Sequence, residues 1–499
     1  MKRQAIFITT VAVTLLLSSL QVLARPNVII IQPDDLPFFD EFHPPAQRRG
    51  AQPRSLHLPN IDRLRADGLE MTRAYTVSPA CGTSRYSTIT GRYPSRSSYM
   101  RRQGSRSVWI PDVKLIDTDA VPDGNDCSSS NVAQLFQANG YKTGMFGKWH
   151  LIPHEQPYSY ANTQQAVRSC GFDTAEAVYW HNIKPSWTGE RFSHNLEYIT
   201  KTAIDFMEEQ LDEEQNFFMY FNPTAPWDGS NFYEALMDYS CKDTPAGRLS
   251  EEPIVPGMTE GIGCEPYRRS IVDRAGGRHS ATLGSIWVDD AVGALVQFLE
   301  SKNQLNNTII AFQSDHGLEG KFSLYEDGIR IMQFVHYPNE IPAGSSYKGL
   351  VATIDVAPTM ADFAGINATS PGWYDMDGMS WRSLPQGLDR CLIAEFERDL
   401  SVVCECDKVL FIPQQNSDAS YTYYQGQQDS LVNSSPGWIQ LCDAIGNYYT
   451  APYVTPEETP ADYAQTRMVD ALRCHLASTR PKETPIYGTC DSHLMNLPR

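Results

Sequence analysis

Pro26-Asn27-Val28-Ile29-Ile30-Ile31-Gln32-Pro33-Asp34-Asp35 holds a short apolar run that stops abruptly in polar residues. A strand with one wet face alternates apolar and polar side chains. Consecutive β-branched residues instead fit a strand buried on both faces, as in a parallel sheet. The theme recurs along the chain. Tyr141-Lys142-Thr143-Gly144-Met145-Phe146 runs into Gly147-Lys148-Trp149-His150, and Phe217-Phe218-Met219-Tyr220-Phe221 runs into Asn222-Pro223. Thr308-Ile309-Ile310-Ala311-Phe312 leads to Ser314-Asp315-His316-Gly317. Helical patterns lie between these runs, over 58–64 closed by Gly68, over 131–138 and over 200–210. The alternation predicts an α/β fold, with a large mixed, mostly parallel sheet flanked by helices. Sites in such sheets form outside the carboxyl ends of the strands, so the polar clusters are expected to converge. After about residue 384 the pattern changes to Cys404-Glu405-Cys406, loops rich in Tyr and Gln, and Pro-rich stretches near 452–460. That part reads as a smaller C-terminal α+β region. The chain divides into 1–24, 25–385 and 386–499.

Residues 1–24 have the shape of a secretory signal peptide. Lys2 and Arg3 precede an apolar run from Ala5 to Leu20, and the small residue Ala24 stands at the expected cut. The other reading, an uncleaved anchor, lacks a stop-transfer flank. A secreted or lumenal protein with no stable membrane span follows. Eleven cysteines in such a chain leave at least one without an internal bridge. The ten other than Cys81 are expected to be mostly paired. Asn306, Asn367 and Asn433 head glycosylation sequons. A formal net charge of -18 makes nucleic acid and anionic membrane poor partners. An anionic substrate would need a local positive pocket.

Adjacent carboxylates at a strand end, such as Asp34 and Asp35, can bind a hard cation, although a solvated turn explains the pair equally well. Asp315 and His316 after a second buried strand shift the balance toward a metal site. Oxygen-dominated ligation suits calcium or magnesium over zinc, with His316 tempering that choice. Within 78–94, Ser84 reads as a helix start and Gly91 as its stop. Cys81 then stands near a helix N-terminus, where free amides and the dipole favour anions.

The string from Cys81 through Ser84-Arg85 to Thr90-Gly91-Arg92-Tyr93-Pro94 resembles the sulfatase signature. The resemblance continues in Pro26 to Asp35, Gly147-Lys148-Trp149-His150-Leu151, Gly171-Phe172-Asp173, the 217–226 strand and Ser314-Asp315-His316-Gly317. It ends with Lys321, the stretch 325–330 and Ile354-Asp355-Val356-Ala357-Pro358-Thr359, covering roughly 26–385. It implies an alkaline phosphatase-like fold and hydrolysis of aryl or carbohydrate sulfate esters. Cys81 would be converted to formylglycine by a formylglycine-generating enzyme. The aldehyde hydrates to a geminal diol, one hydroxyl of which attacks sulfur while the other later expels sulfate. One Ca2+ per chain would be held by Asp34, Asp35, Asp315, His316 and the modified Cys81. Arg85 and His150 would stabilise the diol, and Lys148 and Lys321 would clamp the sulfate oxygens.

Two positions depart from the family pattern. Thr83 replaces the signature proline that the modifying enzyme reads, which bears on conversion of Cys81. Trp227 follows Ala225-Pro226 where the family has a histidine, and an indole cannot supply a catalytic proton. His181 and His194 are the substitutes the sequence offers, though surface or packing roles suit them better. Arg92, Arg96, Arg101, Arg102 and Arg106 form a basic run. It reads as a solvated face or, alternatively, as a collar for a sulfated glycan. Two rival functions remain at this level: a phosphodiesterase or phosphonate hydrolase of the same superfamily, and a catalytically silent sulfatase-like binding protein.

Overall fold

A computed structural model describes residues 25–37, 56–96, 131–151, 159–180, 192–227, 230–317, 321–368, 376–383, 390–396, 399–404, 407–411 and 437–440. The signal-peptide reading, His181, Asn433, Arg101, Arg102 and Arg106 lie outside these residues. The central sheet has eight strands: β1 Asn27–Ile31, β2 Leu69–Met71, β3 Lys142–Lys148, β4 Thr174–Tyr179, β5 Phe217–Asn222, β6 Thr308–Gln313, β7 Gln333–His336 and β8 Ser345–Tyr347. Their spatial order is β8-β2-β7-β6-β1-β5-β3-β4. All neighbours pair in parallel except β7, which is antiparallel to both β2 and β6. The large, mostly parallel sheet expected from the apolar runs is therefore present. Every residue of β1, β5 and β6 is buried, which is why those runs are continuous rather than alternating.

Helices cover both faces. They include α1 Pro59–Ala66, α2 Cys81–Thr90, α3 Val132–Ala138, α4 Leu196–Asp212, α5 Ser280–Ser301, α6 Glu326–Ile329 and α7 Val356–Phe363. One apolar layer packs α4 and α5 against the sheet through Ile199, Met207, Trp287 and Leu295. The other packs α3 and α7 against the opposite face through Phe136 and Met360. Among the described residues, no helix is long and apolar enough to cross a membrane.

Two boundaries differ from expectation. Helix α2 begins at Cys81, three residues before Ser84. Ser84 does not cap: its amide donates to Ala80 O at 2.9 Å as part of the first turn, and its hydroxyl donates to Asp315 O at 2.5 Å. Strand β3 runs on through Gly147 and Lys148 rather than stopping at Phe146. Gly147 permits this with φ of +95°, and a Cβ there would fall 1.9 Å from Asn222 O on β5.

The C-terminal part contributes four antiparallel strands in order: β9 Cys391–Phe396, β10 Asp399–Cys404, β11 Asp407–Phe411 and β12 Gly437–Gln440. Their buried residues share an apolar cluster with Tyr75, Val77, Leu324 and Ile329. Cys391–Cys404 and Cys241–Cys264 are bridged, Cys170 is also disulfide-bonded, and Cys81 is free.

Candidate active site

The carboxyl ends of β6, β1, β5 and β3 lie side by side, so the polar residues just past them meet. Ile31 pairs with Phe312, and each begins the same sequel: Gln32-Pro33-Asp34 on one strand, Gln313-Ser314-Asp315 on the next. The two glutamines start a buried polar network that the sequence reading did not single out. Gln32 Nε2 reaches Ser84 Oγ at 3.3 Å and Thr88 Oγ1 at 3.1 Å, and Gln313 Nε2 reaches Thr88 Oγ1 at 2.6 Å. Gln333 Nε2 donates to Gln313 Oε1 at 2.8 Å, and Tyr220 OH donates to Gln32 Oε1. This network ties α2 to the strand ends. The repeated Gln-x-Asp after two apolar runs was the signal that could have revealed it.

Helix α2 thereby brings Cys81 and Arg85 over the strand ends. Cys81 Sγ lies 3.4 Å from His316 Nε2 and 3.9 Å from Asp35 Oδ1. His316 Nε2 lies 2.9 Å from Asp35 Oδ1 and 3.8 Å from Asp315 Oδ2. One ligand atom from each of Asp35, Cys81, Asp315 and His316 falls within 4.8 Å of all the others, on four buried side chains. His316 Nδ1 donates to Gly317 O at 2.9 Å, which leaves Nε2 facing the group; burial lowers this imidazole, but Asp315 and Asp35 outweigh it and raise it well above its ordinary value. Asp315 Oδ1 accepts from the amides of Asp35 (2.9 Å) and His316 (3.0 Å), which fixes its second oxygen. Asp35 itself has φ of 58°, a conformation that turns the chain sharply after Asp34.

The remaining expected residues surround this group. Asp34 Oδ1 accepts from Lys148 Nζ at 2.7 Å and from Arg85 Nη2 at 3.0 Å. Arg85 Nη2 also lies 3.4 Å from Asp315 Oδ2. Lys321 Nζ contacts both oxygens of Asp35, at 2.9 and 2.8 Å. His150 follows Lys148 at the end of β3, buried, with φ of 58°. Burial opposes charge on every one of these groups, and the balance is set by neighbours. Burial raises Asp34, but Lys148 and Arg85 hold it well below the usual carboxylate range. Burial raises Asp35 as well, and Lys321 and His316 outweigh it. Burial and Asp34 raise the Cys81 thiol, yet Lys148 and Lys321 bring it below its ordinary value. Burial pushes Asp315 up. Burial, then Lys148, push His150 well down, so its imidazole is neutral at pH 7.

Two other sequence candidates are committed elsewhere. His194 lies between Thr224 Oγ1 (2.8 Å) and Ser230 Oγ (2.6 Å), with its ring 6.4 Å from that of Trp227. Arg96 is taken up by Asp377, which accepts from its Nε at 2.8 and 2.7 Å.

The carboxylates, and Nε2 of His316 once its proton is displaced, suit a hard divalent cation, but a sulfur ligand does not. An oxygen on residue 81 would complete an oxygen-rich set. The donor chemistry thus fits calcium on condition that Cys81 carries oxygen.

Comparison with known proteins identifies the family. The family model described as Sulfatase matches residues 26–366. The N-acetylglucosamine-6-O-sulfatase of Bacteroides thetaiotaomicron is 23% identical over 425 residues, spanning 71% of this chain and 70% of that protein. The steryl-sulfatase of Homo sapiens is 25% identical over 501 residues, spanning 86% and 81%. The fold also matches the crystal structure of the PsFucS1 sulfatase from Pseudoalteromonas sp., with a TM-score of 0.59, 19% identity, and coverage of 92% of this chain and 91% of that one. With its motifs assembled around one buried cysteine, the chain belongs to the sulfatase family and is a sulfuric ester hydrolase.

Proposed function

We propose that the chain hydrolyses aryl or carbohydrate sulfate esters with a formylglycine made from Cys81 and one bound calcium ion. The supporting observation is the charge arrangement. Arg85, Lys148 and Lys321 converge on Cys81 from three separate segments, the first two fully buried and Lys321 with 12% of its side chain exposed. Fixed cations in such a site stabilise charge that grows on a sulfuryl group, at no cost of reorganisation. Asp35, Asp315, His316 and residue 81 would hold the calcium, with Asp34 beside them. Bound there, it would offset the repulsion between an anionic ester and an oxygen nucleophile. Formylglycine, once hydrated, would supply that nucleophile.

The chain's own residues do the rest. Lys148 and Lys321 orient the sulfate oxygens while remaining paired with Asp34 and Asp35. Arg85 holds Asp34 and Asp315 in register and keeps residue 81 under positive potential. His150, neutral, accepts or donates a hydrogen bond at residue 81 without adding charge. The relatives' names span a sugar and a sterol, so the ester itself is left at the class of sulfated small molecules or glycans.

The same reading includes secretion through residues 1–24, a catalytic unit over 25–385 with a smaller unit over 386–499, and maturation by a formylglycine-generating enzyme. Glycans would sit at Asn306, Asn367 and Asn433, the first two being exposed. The test is turnover of an aryl sulfate by calcium-loaded protein from a host that makes the aldehyde. Cys81→Ala should abolish it, because the nucleophile is gone. Unchanged turnover in Cys81→Ala, or none in parent protein that carries the aldehyde, would overturn the proposal.

A further inference from the structure

Lys321 belongs to a stretch that the C-terminal sheet holds at both ends. At the far end, Lys408 Nζ on β11 lies 2.9 Å from Glu326 Oε1, the first residue of α6. Tyr75 OH donates to the other oxygen, Glu326 Oε2, at 3.0 Å. Lys408 has no exposed surface and Glu326 is 5% exposed. At the near end, the Phe322 ring packs against Phe396 of β9 with centroids 5.7 Å apart. The Phe322 amide donates to Pro79 O, and the Glu395 amide on β9 donates to Val77 O, both at 2.9 Å. One sheet therefore braces the turn before Cys81 and the stretch carrying Lys321.

A buried ion pair is a poor means of adding stability. Each ion loses several kcal/mol of hydration, and an apolar pair of equal volume often does as well or better. What the pair adds is direction, because each Glu326 oxygen has its own donor. Direction matters here, since Phe322 adopts φ of 66°, which a bulky residue keeps only where its surroundings impose it.

We propose that Lys408 is a positioning residue for Lys321. Through Glu326 it fixes the stretch that sets the Lys321 ammonium against Asp35, so the C-terminal sheet shapes the active site without touching substrate. The catalytic consequence rests on reading Lys321 as a sulfate clamp.

The test uses full-length, calcium-loaded protein and a double-mutant cycle of Lys408→Met and Lys321→Ala, assayed on an aryl sulfate well below the melting temperature. Lys408→Met should lower kcat/KM by about 10-fold or more, since small misplacements of a catalytic group are costly. The double variant should be no slower than Lys321→Ala alone, because coupled residues are not additive. Equal losses with and without Lys321 would overturn the proposal, as would a parental rate in folded Lys408→Met. Amide exchange over 321–330 is the readout independent of turnover: it should quicken in Lys408→Met, and unchanged exchange refutes the brace. Should Lys408→Met fail to fold, Lys408→Met/Glu326→Gln removes the stranded charge and takes its place in the cycle. A parent without sulfatase activity defeats the functional reading, while amide exchange still decides the brace.

Discussion

Lys148 Nζ lies 2.7 Å from Asp34 Oδ1, and neither side chain has exposed surface. The lysine is thus a buried counter-ion of Asp34, and the proposed mechanism also has it clamp the sulfate oxygens. Lys148→Ala leaves Asp34 with Arg85 as a cationic partner at 3.0 Å. Breaking one side of a buried pair costs about 3 kcal/mol. Losing one preorganised stabiliser slows turnover by roughly 10²–10³-fold. Urea titration and kcat should both register the change. Full stability with lost turnover would mean that Arg85 alone suffices for Asp34.

Calcium should raise the melting temperature of metal-free protein, with about one ion bound per chain by titration calorimetry. At a hundredfold excess over Kd the gain is about 2.7 kcal/mol. Asp35→Asn and Asp315→Asn should each remove most of that shift. Protein whose residue 81 remains a thiol should bind calcium more weakly than converted protein, because sulfur is a poor ligand for a hard cation. Equal affinity of the two forms would speak against residue 81 as a ligand.

Thr83 occupies the third position of α2, where its hydroxyl donates to Ser78 Oγ at 2.7 Å or Ala80 O at 3.0 Å. Proline is tolerated in the first turn of a helix. Thr83→Pro should therefore keep the fold at a loss of about 1 kcal/mol for the hydrogen bond. If the modifying enzyme reads this position, the mass of the Cys81 peptide should show a larger aldehyde fraction in Thr83→Pro than in the parent. No change would make Thr83 an acceptable residue for conversion.

Burial pushes the His194 imidazole from 6.5 down to about 3, opposed in part by Asp34 and reinforced to a smaller degree by Lys148. Its folded value is below its unfolded one. The neutral ring therefore contributes stability that is complete above about pH 6.5 and is lost as pH falls toward 3. By pH 4 the loss reaches about 3 kcal/mol. His194→Gln can still bond Thr224 and Ser230 and should flatten stability between pH 6.5 and pH 4. Denaturant midpoints across that range would show it, and an unchanged slope would place the acid sensitivity elsewhere.

The sheet and the candidate residues of the site are legible in the chain alone. Runs such as Val28 to Ile31 can be satisfied only by burial on both faces, and they place Asp34, Lys148 and Asp315 just past strand ends. The signature around Cys81 is local in the chain and can be read without coordinates. Pairing between those residues comes from the closed fold. The neighbours β6-β1-β5-β3 are distant in sequence, and their order comes from packing. That order gives Asp34 to Lys148 and Arg85, gives Asp35 to Lys321, and gathers Asp35, Cys81, Asp315 and His316 together. The same holds for Ser84, a cap by local pattern that instead reaches Asp315 O, and for Lys408, whose buried ammonium meets Glu326 from a distant segment. Side-chain type follows from the chain alone. Which charge neutralises which depends on ångström distances between segments, and only the closed fold sets these.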